Sequence, residues 1–277
     1  MNEVRDELIE MRGLRFHYRD WAAAVTGARD LVLLHGYTGH ARSWDHFAAR
    51  MTDRYRVLVL DQRGHGESGW AAADQYGIDD MVLDLRAFVA ALGLQRFTLL
   101  GLSMGGMVAM HYAGARPAEL AALVIVDIGP ELVAAGAARI QTGQRESDVF
   151  ASKDAAFAAA RAGNAVPPED VHRHRVDNNM MRLEDGSWTY RYDRALREPG
   201  RLRVRDAAAG WRACANINVP TQLIRGANSD ILSAASAARM IDAIPGAQFA
   251  EVAGSGHAIP LDAPDSFLNA ARQFLRG

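Results

Sequence analysis

One cysteine, Cys214, stands in 277 residues, so the chain can close no disulfide on itself and cannot build a cysteine-rich metal site. Lysine is as scarce. Lys153 is the only one, and arginine supplies the rest of the 31 basic residues, against 33 acidic ones and a formal net charge of −2. Such a balance offers neither the basic footprint of a nucleic-acid binder nor a polybasic patch for a membrane surface. No apolar run approaches the ~20 residues of a membrane span, and segment 1–7 is charged where a signal peptide needs an apolar core. These absences predict a soluble, cytoplasmic protein with no nucleic-acid or membrane partner. Hydrophobic residues make up 49% of the chain, enough for one large core.

From about residue 30, short apolar runs alternate with helical patterns. Leu31–Leu34, Val57–Leu60, Phe97–Leu100 and Leu123–Val126 are continuous, and Thr221–Ile224 is similar though less pure. Runs of this length, apolar on both faces, read as strands of a buried parallel sheet. The stripe Met81, Leu85, Phe88, Val89, Leu92 behind an Asp79 cap predicts a helix over 79–92. Repeated strand–helix–strand units imply an α/β fold, a mostly parallel twisted sheet with helices on both faces. Leu8 to Trp21 alternates around Arg12-Gly13, which suits an antiparallel hairpin at the sheet edge.

The rhythm breaks between about 130 and 210. This stretch is rich in Ala and Arg, carries Pro167-Pro168, and reads as several helices without a parallel strand. It is too long for a plain connection. The division expected is therefore a core of 1–129 and 211–277, with 130–210 a helical lid inserted after the sixth strand. The strand pattern resumes at Thr221, continues over 248–252, and ends with a helix over 264–276.

Gly101-Leu102-Ser103-Met104-Gly105-Gly106 follows one apolar run and opens a helical segment. That is the setting of a G-x-S-x-G nucleophile elbow, in which glycines on either side relieve the crowding of a sharp strand-to-helix turn. A bare small-residue turn is the competing explanation, and the strand before and helix after weigh against it. A serine needs a base. His257, in the Gly-rich loop Gly254-Ser255-Gly256-His257 after the last strand, can reach above the strand ends, whereas His17, His111, His172 and His174 lack that context. His35 ends a buried strand and is expected to shape its loop. Acyl transfer needs two donors at the tetrahedral oxygen. The N–H of Met104, after the nucleophile, and that of Tyr37, after the first parallel strand, hold the right positions.

His35-Gly36, Asp61-Gln62-Arg63-Gly64-His65-Gly66-Glu67-Ser68, the elbow and Gly256-His257 occur in the order and spacing of the α/β-hydrolase superfamily, which the chain resembles from about residue 8 to its end. Asp61 to Ser68 reads as a structural tie beside the active site. Val126-Asp127-Ile128-Gly129-Pro130 and Arg225-Gly226-Ala227-Asn228-Ser229-Asp230-Ile231-Leu232 look like the (E)-2-(acetamidomethylene)succinate hydrolases of pyridoxine breakdown, and are similar to small bacterial acyl esterases. The resemblance bears on the triad acid. Most of the superfamily places it after the strand 221–225, three residues past the loop glycine. Here that position is Ser229, and Asp230 is one further on, where it can instead cap the next helix. The relatives just named use the acid position that Asp127 occupies, which could otherwise cap the lid's first turn. Asp127 is preferred, with Asp230 the alternative.

The chemistry expected is acyl transfer by a serine hydrolase, a carboxylic ester hydrolase acting on a small-molecule acyl substrate with no cofactor and no metal. An amide or C–C bond hydrolase with the same triad is the alternative, and a ligand receptor on the same fold is the non-enzymatic one. Dehalogenase or epoxide hydrolase chemistry is disfavoured, because those relatives carry Asp where this chain has Ser103. Trp44, Met107, Trp188, Tyr190 and Trp211 are candidates to line the pocket, against the more common role of apolar packing. The lid arginines Arg139, Arg145, Arg161, Arg175 and Arg191 could pair with a substrate carboxylate, although surface solvation is the commoner role for any one of them.

Overall fold

The computed structural model describes residues 3–134, 136, 138, 148–198 and 206–276. Its centre is an eight-stranded sheet. In chain order the strands are β1 (Val4–Met11), β2 (Leu14–Trp21), β3 (Arg29–Leu34), β4 (Tyr55–Leu60), β5 (Phe97–Leu102), β6 (Leu120–Val126), β9 (Thr221–Gly226) and β10 (Gln248–Val252). They lie in the order β1-β2-β4-β3-β5-β6-β9-β10. β1 pairs antiparallel with β2, and β2 with β4, while every other pairing is parallel. The N-terminal hairpin thus forms an antiparallel edge, as its loose alternation predicts.

The continuous apolar runs have a simple cause. Side chains alternate across a strand, so Val32, Leu34, Leu58, Leu60, Leu99, Leu123, Ile125 and Leu223 enter one core. Their neighbours Leu31, Leu33, Val57, Val59, Leu100, Val124, Val126 and Ile224 enter the other. The first core is closed by α2 (Ile78–Ala91), α3 (Met104–Gly114), α6 (Ala207–Asn216) and α7 (Ala234–Ala243). The second is closed by α1 (Asp45–Met51), the short α8 (Ile259–Asp262) and α9 (Pro264–Leu275). α2 starts one residue earlier than expected. Its cap is Gly77, whose N–H donates to the Asp80 carboxylate at 3.0 Å, and Asp79 sits inside the first turn. An acid at the third helical position satisfies the cap by reaching back.

Between β6 and α6 the described residues form α4 (Lys153–Gly163), α5 (Glu169–Asn178), a two-stranded hairpin of β7 (Met180–Arg182) with β8 (Trp188–Tyr190), and a 3₁₀ turn over Arg194–Arg197. Helices without a parallel strand were expected; the short antiparallel hairpin is an addition to that reading. Its strands are too short to show a period of two, and the turn residues Asp185-Gly186, with Gly186 at φ 85°, are its one local signal. The insert has its own small apolar cluster of Ala156, Phe157, Val176 and Met180. No described helix is long and apolar enough to cross a membrane.

Candidate active site

Ser103 sits between β5 and α3 with φ 53° and ψ −117°, a sparsely populated conformation that costs on the order of 1–3 kcal/mol and persists only where the surroundings enforce it. The enforcement is visible. Ser103 N–H donates to Val126 O at 3.0 Å, and the turn is so tight that a Cβ on Gly101 would lie 2.2 Å from Gly105 O, and one on Gly105 2.6 Å from Leu34 O. Glycine at both positions lets helix, elbow and neighbouring strand meet.

Asp127 follows β6, also at positive φ (49°), and its side chain is wholly buried. Oδ1 accepts the Gly226 N–H at 2.9 Å. Oδ2 accepts the Ser229 hydroxyl and lies 2.7 Å from His257 Nδ1. His257 Nε2 lies 2.9 Å from Ser103 Oγ. The loop that delivers His257 is held by Gly256 N–H to Asp262 (2.9 Å) and Ser255 Oγ to Val252 O (2.9 Å). It passes so close to β9 that a Cβ on Gly226 would lie 2.1 Å from Gly256 O. Asp127, not Asp230, is therefore the acid hydrogen-bonded to His257. Asp230 does not cap α7 either. The cap is Ser233, whose hydroxyl accepts the Ser236 N–H at 3.0 Å. Ser229 closes the loop by accepting the N–H groups of Ile231 (3.2 Å) and Leu232 (3.1 Å), so its side chain bridges that turn to Asp127.

The loop after β3 crosses above the elbow. His35 is buried, its Nε2 accepts the Gln62 N–H at 3.0 Å, and its Nδ1 therefore carries the proton donated to Gly36 O at 2.8 Å. Burial holds it neutral by lowering its pKa, so it shapes the loop as expected. Asp61 fastens the same loop from below: Oδ1 accepts the Ala41 N–H, Oδ2 accepts from Glu67 N–H and His17 Nδ1, and its backbone carbonyl accepts the Ser68 hydroxyl. Three further bonds lace the loop to the insert: Tyr37 Oη to Leu196 O at 2.6 Å, Asn179 Nδ2 to Thr38 O at 2.9 Å, and His40 Nε2 to Arg175 O at 3.1 Å. Burial pushes His40 down to about 3, so at neutral pH that last bond comes from an uncharged ring. Tyr37 follows Gly36 in this loop, and Met104 is the first residue of α3, whose leading N–H groups have no intrahelical acceptor.

A cavity of about 400 Å³ opens between loop, elbow and insert, lined in part by Gly36, Tyr37, Ser103 and His257. Of the residues expected to line it, Trp44 and Tyr190 do, with Trp44 packed on Phe47 and Phe267 behind. Three do not. Met107 packs into the core beneath the elbow, Trp188 lies under Lys153 within the insert, and Trp211 donates to Glu131 beneath Arg239. Among the arginines, Arg175 lines the cavity, Arg161 binds Pro167 O and Arg191 pairs with Glu67. Arg139 and Arg145 fall outside the described residues. Asn179 and Tyr192 complete this wall and were not foreseen. A polar residue ending a helix and an aromatic after a short hairpin have no local signature.

The geometry matches known proteins. A family model described as the alpha/beta hydrolase fold matches residues 31–264. A 3-hydroxybutyrate-oligomer hydrolase of Cupriavidus necator is 29% identical over 95% of this chain and 93% of its own length. The crystal structure of an alpha/beta hydrolase from Novosphingobium aromaticivorans is similar at 30% identity and a TM-score of 0.87, covering 100% of this chain and 99% of that one. At 20% identity, an E-2-(acetamidomethylene)succinate hydrolase shares the fold with a TM-score of 0.89, over 99% of this chain and 100% of the other. An antiparallel edge on a parallel sheet, a strained serine between strand and helix, and a model match across most of the chain lead to one conclusion: this protein belongs to the α/β-hydrolase family.

Proposed function

We propose that the protein is a serine hydrolase of small carboxylic esters or similarly activated acyl compounds, working through an acyl-enzyme on Ser103. The observation that carries this reading is the unbroken hydrogen-bond chain Asp127–His257–Ser103 at the wall of the cavity. Asp127 keeps the imidazole proton on Nδ1, leaving Nε2 to take the Ser103 proton as Oγ attacks the acyl carbon. The N–H groups of Tyr37 and Met104 receive the oxyanion. His257 then returns its proton to the departing alcohol, and water releases the acid with His257 again as base.

Residues 130–210 act in this reading as a lid that roofs the cavity and sets substrate choice. The Cupriavidus relative supports an ester, since oligomers of a hydroxy acid are joined through ester bonds. A fluorophosphonate probe should label the protein stoichiometrically. Ser103→Ala should abolish labelling and lower p-nitrophenyl acetate turnover on the order of 10⁶-fold, the scale of losing a nucleophile. Ligand-dependent stabilisation with no turnover of any ester would replace the enzyme by a receptor.

A further inference from the structure

We propose that Arg175 binds a carboxylate on the substrate, so that the enzyme selects acyl compounds with a second, anionic end. This rests on the reading of Ser103 as nucleophile and names the substrate class of that same site. Arg175 is carried by α5 and lines the cavity that Ser103 and His257 line. Among the described residues its guanidinium makes no ion pair, side-chain hydrogen bond or ring contact. Other arginines of the molecule are engaged: Arg63 with Asp84, Arg19 with Asp45, Arg191 with Glu67, and Arg173, two residues away, with Asp154 and the face of Phe157. The carboxylate whose charge acts on Arg175, Asp262, already accepts from Gly256 N–H at 2.9 Å and Asn164 Nδ2 at 2.8 Å.

Burial lowers the pKa of Arg175, yet a guanidinium stays protonated throughout the working range. A half-buried cation with no direct partner among the described residues is costly, and an anionic ligand reduces the cost. Its backbone is held in place, since Arg175 O accepts from His40 Nε2 and from the Asn179 N–H. Beside it Tyr190 lines the cavity with a hydroxyl that has no hydrogen-bond partner among the described residues, and burial raises its pKa so that it remains a donor. A planar fork plus one neutral donor fits the two oxygens of a carboxylate. A phosphate dianion calls for more positive charge, and no second arginine or lysine lines the cavity among the described residues.

The test compares cleavage of ethyl hydrogen glutarate with that of ethyl valerate, followed by released ethanol. Wild type should favour the anionic ester in kcat/KM. Arg175→Gln should lower the glutarate-to-valerate ratio by roughly 10–100-fold, as expected for a hydrogen bond to a charged group, chiefly through KM, and Arg175→Lys should retain part of the preference. Equal losses on both esters would make Arg175 a structural residue and overturn the proposal. Independently of any variant, glutarate should inhibit wild-type cleavage of ethyl valerate more strongly than pentanamide or inorganic phosphate does, and either reversal also overturns it. If ethyl valerate is cleaved in a Ser103-dependent way without anionic preference, only the carboxylate site falls. If neither ester is cleaved and Ser103 resists labelling, the hydrolase reading itself falls.

Discussion

Among the described residues, two histidine–aspartate pairs built on a buried carboxylate have nearly the same geometry. His257 Nδ1 lies 2.7 Å from Asp127 Oδ2, and His17 Nδ1 lies 2.7 Å from Asp61 Oδ2. They differ at the far nitrogen. For His257 it meets the Ser103 hydroxyl at 2.9 Å, and for His17 it meets the Asp6 carboxylate at 3.0 Å. A ring between two carboxylates gains by donating from both nitrogens, which favours the imidazolium: burial opposes the charge, but the hydrogen bond and charge of Asp61 outweigh it and raise the pKa. Burial likewise works against the Asp61 carboxylate, yet the bond from His17 and the neighbouring donors hold it down to about 2. His17 ties the edge hairpin to the Asp61 loop, and His257 faces a hydroxyl that, in the proposed reaction, surrenders its proton. An aspartate–histidine pair is therefore no catalytic signature by itself; the third partner and access to a cavity decide.

Breaking each pair should separate the two roles. The largest effect expected is Asp127→Asn, which should lower kcat on p-nitrophenyl acetate by ~10³–10⁴-fold, the scale of losing the group that fixes the tautomer. Asp230→Asn should cost far less, and the opposite ranking would move the acid to Asp230. Asp61→Ala should appear first in stability, because it strands the His17 ring and the Ala41 and Glu67 N–H groups. Breaking a buried pair on one side costs about 3–5 kcal/mol, measurable by urea unfolding. A drop in kcat with unchanged urea midpoint would erase the contrast between the pairs.

The smallest effect is a pH dependence. His17 is raised above its ordinary 6.5, so its support for the fold is complete below 6.5 and fades as pH climbs through the raised value. Asp61 is lowered from 3.8 to about 2, so its support is complete above 3.8 and fades as pH falls through about 2. The pair should therefore contribute most between about 4 and 6.5, and His17→Gln should flatten the alkaline side of the stability profile. An unchanged alkaline slope in that variant would show that His17 is not the charged partner.

What could be read from the chain alone divides along the same line as local and distant interactions. The sheet was legible because strands buried on both faces must be apolar at every position, as Leu31–Leu34 and Val57–Leu60 are. The elbow was legible because Gly101 must clear Gly105 within one short motif, although the room Gly105 leaves is for Leu34 O on a distant strand. The roof of the cavity was not. That Asn179 faces it while Trp188 does not depends on how the insert settles over the β3 loop through the bonds of Tyr37, Asn179 and His40, between residues far apart in sequence. Asp79 failed as a cap for a smaller reason, a one-residue shift that gave the role to Gly77 and Asp80.

The hydroxyl of Ser229 has a consequence for how such sites change over time. It occupies the loop from which the other acid arrangement would act, and it is already bound to Asp127. Ser229→Asp alone would set two carboxylates against one imidazole, and like charges at such range cannot both stay ionised without penalty. The two placements of the acid are thus separate solutions, and a lineage crossing from one to the other has to lose Asp127 in the same passage or cross a variant whose charges oppose each other.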